Sequence, residues 1–82
     1  MSAVRNVRPL DINQVPQEKA ARNAIRELAV EFASDLDTSR PPVWKDLESR
    51  GRSLLYRLAL PQVYLGYAMV TVSNEFWRRQ FE

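Results

Sequence analysis

From Leu58 to Asn74 the chain reads LALPQVYLGYAMVTVSN, a run without one charged residue in a protein whose residues are 27% charged. How this run folds decides the fold of the whole chain. Val63, Leu65, Tyr67 and Met69 alternate as in a strand, and Val70-Thr71-Val72 is β-favouring. The same residues also make two helical stripes: Val63, Tyr67, Val70 and Trp77 on one, and Leu65, Met69, Val72 and Phe76 on the other. A strand would need a partner that only the N-terminal residues could supply, and two-stranded sheets are marginal in water. The pattern continues to Phe81, too long for one strand, so length decides for a helix over 62–80. Being apolar nearly all round, it is expected to be a central, buried helix.

Upstream, Pro61 must end or kink whatever precedes it, because Leu60 is biased away from helical backbone. A second helix is expected over 42–59, with Pro42 in its first turn, where a missing N–H is harmless. Trp44, Leu47, Leu54, Leu55 and Leu58 share one side of it. Asp46 with Arg50 and Glu48 with Arg52 are acid-first i,i+4 pairs. Gly51 in its middle weakens a helix by about 1 kcal/mol relative to alanine. That weakness implies close approach of another backbone, with Gly66 and Ala68 of the third helix as the facing small residues. The same two small residues would alternatively allow self-association through the third helix.

Arg40-Pro41-Pro42 is a stiff linker. Before it, a first helix is expected over 16–36. Ala21, Ile25, Leu28, Phe32 and Leu36 lie on one stripe, Pro16 suits the first turn and Glu18 sits near the positive end of the dipole. Residues 1–15, with Val4, Val7, Leu10 and Ile12 out of strict period and Pro9 interrupting, read as an extended or disordered N-terminal arm. The expectation is an all-α three-helix domain over 16–82 preceded by that arm.

Composition removes most chemistry. The chain has no cysteine and no histidine, hence no disulfide, no thiolate or imidazole metal ligand and no usual general base. Its ten acids are scattered and its two glycines are far apart, which leaves no carboxylate cage for a hard ion and no phosphate-cradling loop. Ser–Lys or Tyr–Lys chemistry is the alternative that composition leaves open, but Lys19 and Lys45 both sit among charged residues on expected solvent faces. No catalytic residue, metal or cofactor is expected. The uncharged run falls short of the roughly 20 apolar residues of a membrane span and includes Pro61, Gln62 and Asn74. The first residues hold no apolar signal core, and a cytoplasmic protein is expected.

Binding is what remains. The segment NEFWRRQFE crowds Phe76, Trp77 and Phe81 beside Arg78 and Arg79, and aromatic residues and Arg are the types enriched at binding hot spots. The residues expected to meet a partner protein or a second copy are Tyr64, Tyr67, Phe76, Trp77, Arg78 and Phe81, in a small accessory or regulatory module. The rival reading is a nucleic-acid binder. Residues 41–82 carry six bases and four acids, and Arg50, Arg52, Arg57, Arg78 and Arg79 would contact phosphates, with Arg40 and Lys45 nearby. Net charge of only +2 and the acids among the bases of the second helix weigh against it. A weaker third reading seats the aromatic-basic segment at a membrane surface.

Overall fold

A computed structural model describes the backbone of residues 15–81 and the side chains of 18–81. Three helices form: α1 (Val15–Ala33), α2 (Trp44–Leu58) and α3 (Leu65–Gln80), with a single 3-10 turn, Gln62–Tyr64, leading into α3. The uncharged run is therefore helical, and the described residues contain no strand. The expected arm lies outside the described residues except for Val15, which opens α1.

Each boundary has a local cause. α1 stops three residues short of the expected Leu36 because Ser34 turns back on it. Its N–H (3.2 Å) and its hydroxyl (2.7 Å) both donate to the Glu31 carbonyl, which a continuing helix would offer to residue 35. Leu36 stays in the core through a tight turn, donating its N–H to Ala33 at 3.2 Å. α2 starts two residues later than expected. Val43, β-branched, holds extended backbone (φ −90°, ψ 157°) as the N-cap, so Pro42 lies outside the helix. At the other end, the N–H of Leu60 reaches the Leu55 carbonyl (2.9 Å) and that of Ala59 reaches Tyr56 (3.1 Å), the double bond of a Schellman cap. That cap forces Ala59 into left-handed backbone (φ 57°), a place glycine normally fills. Pro61 follows at once and prevents continuation.

The three helices enclose one core. Ile25, Ala29, Ala33 and Leu36 come from α1 and its C-terminal turn, Leu54 and Leu55 from α2, and Ala68, Val72 and Phe76 from α3. Ile25, Leu54, Leu55, Val72 and Phe76 are the large side chains sealed from solvent, each worth about 1.5–3 kcal/mol of burial. α3 runs back along α2. A Cβ placed on Gly51 would lie 3.0 Å from Leu65 Cδ1, 3.1 Å from Met69 Cγ and 3.6 Å from Ala68 Cβ. The close approach expected at Gly51 is real, and it is made by Leu65, Ala68 and Met69. Gly66 takes no part: a Cβ there would meet nothing within 4 Å. Of the two acid-first pairs expected within α2, Glu48–Arg52 forms at 2.8 Å, whereas Arg50 crosses to the turn after α1 and pairs with Asp35 at 3.1 Å.

Candidate protein-interaction face

α3 is where fold and function meet. Its second stripe, Leu65, Met69, Val72 and Phe76, turns into the core or its margin. Its first stripe, apart from the half-buried Tyr67, does not. Val63 is 84% exposed, Val70 57% and Trp77 41%, and Phe81, just past the helix, is 85% exposed. α3 is central, as expected, in packing against both α1 and α2, but it is not buried all round. α1 and α2 are its only neighbouring helices among the described residues, and they cover one side of it. The uncovered side reads Val63, Gly66, Val70, Asn74, Trp77, Phe81, six exposed and uncharged residues at spacings of three and four.

α2 extends this face. Trp44, expected in the core with Leu47, is instead 71% exposed, and Val43 before it is 46% exposed. The cause is position: Trp44 is the first helical residue, about two turns before the tight Gly51 contact. Trp44 and Leu47 form one wall of an apolar groove of about 170 Å³, with Met69, Val70, Ser73 and Asn74 as the other. Two tryptophans, a phenylalanine and three valines are thus presented on one side of the α2–α3 pair and the segments flanking it.

The residues expected to bind a partner separate in the structure. Phe76 is only 2% exposed, closes the core and offers no surface, so its place in a binding set is corrected. It supports the face from beneath by meeting the Trp77 ring edge-on, with centroids 5.1 Å apart. Tyr64 and Tyr67 are half-buried against the core. The Tyr67 hydroxyl accepts from Arg26 at 2.6 Å, and its carbonyl accepts from the Thr71 hydroxyl at 2.6 Å, so Tyr67 ties α3 to α1. Trp77 and Phe81 remain on the open face. Arg78 is exposed beside them, with its guanidinium 2.8 Å from Glu75. Trp44, Val43 and Val70 were missed as surface residues. The available signal was that Val63, Val70 and Trp77 lie opposite Leu65, Val72 and Phe76, and two neighbouring helices cannot cover both sides.

The basic set is not gathered on one open surface. Arg50 pairs with Asp35 (3.1 Å), Arg52 with Glu48 (2.8 Å), and Arg57 with Glu31 (3.6 Å) while lying 5.9 Å over the Phe32 ring. Arg79 donates to the Val30 carbonyl at 2.9 Å. Arg40 lies 3.4 Å from Asp37. The Arg50 and Arg57 pairs line a polar cleft of about 370 Å³ between α1 and α2, with Ser49 and Ser53 beside them. Such half-exposed pairs contribute about 0–1 kcal/mol each. In the α1–α2 connection the Asp37 carboxylate accepts from the Ser39 hydroxyl (2.7 Å) and from the Ser39 N–H (2.9 Å). Those hydrogen bonds, and then Arg40, hold its pKa below the ordinary carboxylate value.

No helix of the described residues is long and apolar enough to cross a membrane. Compared with protein families, characterised proteins and solved structures, the chain matches none of them.

Proposed function

We propose that the protein is a non-catalytic interaction module, an accessory or regulatory subunit that docks on another polypeptide through the uncharged face formed by α3, Trp44 and their flanking residues. One observation carries this reading: Val63, Val70, Trp77 and Phe81 are exposed and fall on one helical side of α3 and its flanks, and the exposed Trp44 meets Val70 across one apolar groove. Scattered apolar side chains are ordinary on a surface, but exposed apolar side chains that share a face and a groove are the mark of an interaction site. Its aromatic content is that of an interface core, where charged residues are depleted. The nucleic-acid reading loses support from the same geometry, since Arg50, Arg52, Arg57 and Arg78 each have an acidic partner and Arg79 is engaged by a main-chain carbonyl.

The test is affinity purification of the tagged full chain from its native host, beside a Trp44→Ala, Trp77→Ala double variant of confirmed helicity. A polypeptide retained by the wild type, lost by the variant and bound again when purified components are mixed is the expected result. Hot-spot truncation should weaken that binding by at least about thirtyfold. Retention of nucleic acid at physiological salt, abolished by Arg50→Glu with Arg57→Glu and indifferent to the tryptophans, would overturn the reading.

A further inference from the structure

We infer that the occupant of this face is a second copy of the same chain, with the two α3 helices packed antiparallel about a two-fold axis near Val72. The inference rests on the interaction reading above and specifies its partner. Four observations converge on it. The first is Gly66, an exposed helical glycine over which the described residues place nothing within 4 Å and whose φ is not positive. A glycine there weakens the helix by roughly 0.5–1 kcal/mol with no return inside the monomer. A close approach from outside gives it a use.

The second observation is the order of sizes along the stripe. Val63 and Gly66 are small and stand at its beginning; Trp77 and Phe81 are large and stand at its end. Antiparallel pairing about Val72 sets Phe81 of one copy over Val63 of the other, Trp77 over the Gly66–Tyr67 step, and Val70 against Asn74. Each bulky ring then meets a small residue twice over by symmetry, as an isologous interface requires. Parallel pairing would stack the rings on each other and leave the Gly66 ends facing across a gap.

The third is charge. The stripe carries none, so it meets its own copy without like-charge repulsion. The last turn of α3 carries Arg78 and Arg79, and its first turn carries no acid. Antiparallel packing about the level of Val72 sets the two arginine pairs roughly 20 Å apart along the contact, beyond the screening length of about 8–10 Å. The fourth is area. Val63, Val70, Trp77 and Phe81, with Val43 and Trp44 at the start of α2, expose on the order of 700 Å² per copy, close to the roughly 800 Å² each partner gives to a standard-sized interface, so the contact takes in the start of α2 as well as α3.

The experiment uses the full chain and reads mass by sedimentation from micromolar to sub-millimolar concentration. The expected particle has twice the 9.5 kDa chain mass. Gly66→Leu, which fills open space in the monomer, should keep the helical circular dichroism and weaken dimerisation at least tenfold. Because the chain has no cysteine, orientation can be read by disulfide trapping. A mixture of Val63→Cys chains with Phe81→Cys chains should cross-link to each other, and neither variant with itself, since a bridge needs Cα atoms within about 7 Å. A monomeric mass throughout would overturn the inference, and the interaction reading would still stand if another polypeptide binds in a tryptophan-dependent way. A dimer unaffected by both Gly66→Leu and Trp77→Asp uses another face and would also overturn it. So would a monomer whose tryptophan emission shifts to the red when residues 1–14 are removed, because the chain's own N-terminal segment would then be the cover.

Discussion

Gly51→Leu tests the joint on which the fold turns. A Cβ at Gly51 would sit 3.0 Å from Leu65 Cδ1 and 3.1 Å from Met69 Cγ, where carbon atoms in good contact lie about 3.5–4.0 Å apart. Alanine asks those neighbours to yield by about half an ångström and gains about 1 kcal/mol of helix propensity, so the two effects nearly cancel. Leucine gains a similar propensity but drives three more carbons between α2 and α3. Overpacking of this kind costs about 3 kcal/mol at the upper end of the usual range. The net loss is therefore about 2 kcal/mol, out of about 4–12 kcal/mol for a chain this size. At 4–8 °C per kcal/mol the melting temperature should fall by about 8–16 °C. Circular dichroism melts and urea titrations would be run at a concentration low enough to keep the chain monomeric, since association alone raises apparent stability. Gly66→Leu is the internal control. It receives a comparable propensity gain with no steric opposition and should melt no lower than wild type. If Gly51→Leu also melts no lower than wild type, α2 and α3 are not in contact at Gly51, and the face built across them would have to be redrawn.

Phe76→Ala should destabilise by about 3–5 kcal/mol, whereas Trp77→Ala, its half-exposed neighbour, should cost the monomer markedly less and act on association; paired urea melts and sedimentation runs separate the two. Ala59→Gly should stabilise by about 0.5–1 kcal/mol, because glycine relieves the left-handed cap while loosening the unfolded chain, and a melting temperature below wild type would contradict the cap geometry. Duplex DNA and structured RNA should bind weakly and without sequence preference, with a salt titration as the check; tight selective binding at about 0.15 M salt would contradict the paired state of the arginines. The Asp37 carboxyl, followed by NMR, should titrate below its ordinary value of 3.8. Its favourable contribution is then present above that value and lost as pH falls through the lowered pKa, and Ser39→Ala should move the titration back up.

Much of the fold was legible because its signals are local. The Ile25–Phe32 stripe, the prolines at 41, 42 and 61 and the length of the last apolar segment together specify three helices. The boundaries that moved did so for reasons of backbone hydrogen bonding. Ser34 diverts the Glu31 carbonyl and Val43 takes extended backbone, and neither choice shows in side-chain periodicity. Trp44 was misplaced for a geometric reason. On a helical wheel it aligns with Leu47 and Leu55, but the wheel carries no information on how far along α2 the neighbouring helix extends its cover. Phe76 and Trp77 are adjacent in sequence and similar in character, yet one is sealed and the other half-exposed, because successive helical residues point about 100° apart.

The separation of the two α3 stripes is the physical argument for the proposed association. A helix packed against two others in a three-helix layer has one side facing outward, whatever its sequence. A monomer would gain solubility by placing charges there, as α1 does with Arg22, Arg26 and Glu27, all exposed. α3 instead places Val63, Gly66, Val70, Asn74, Trp77 and Phe81 on that side, and Trp44 of α2 widens the apolar strip. No rearrangement of these three helices covers that strip without uncovering Leu65, Val72 and Phe76, since the two stripes lie on opposite sides of one rigid rod. On the reading proposed above, the cover comes from outside the bundle, with its closest approach at Gly66.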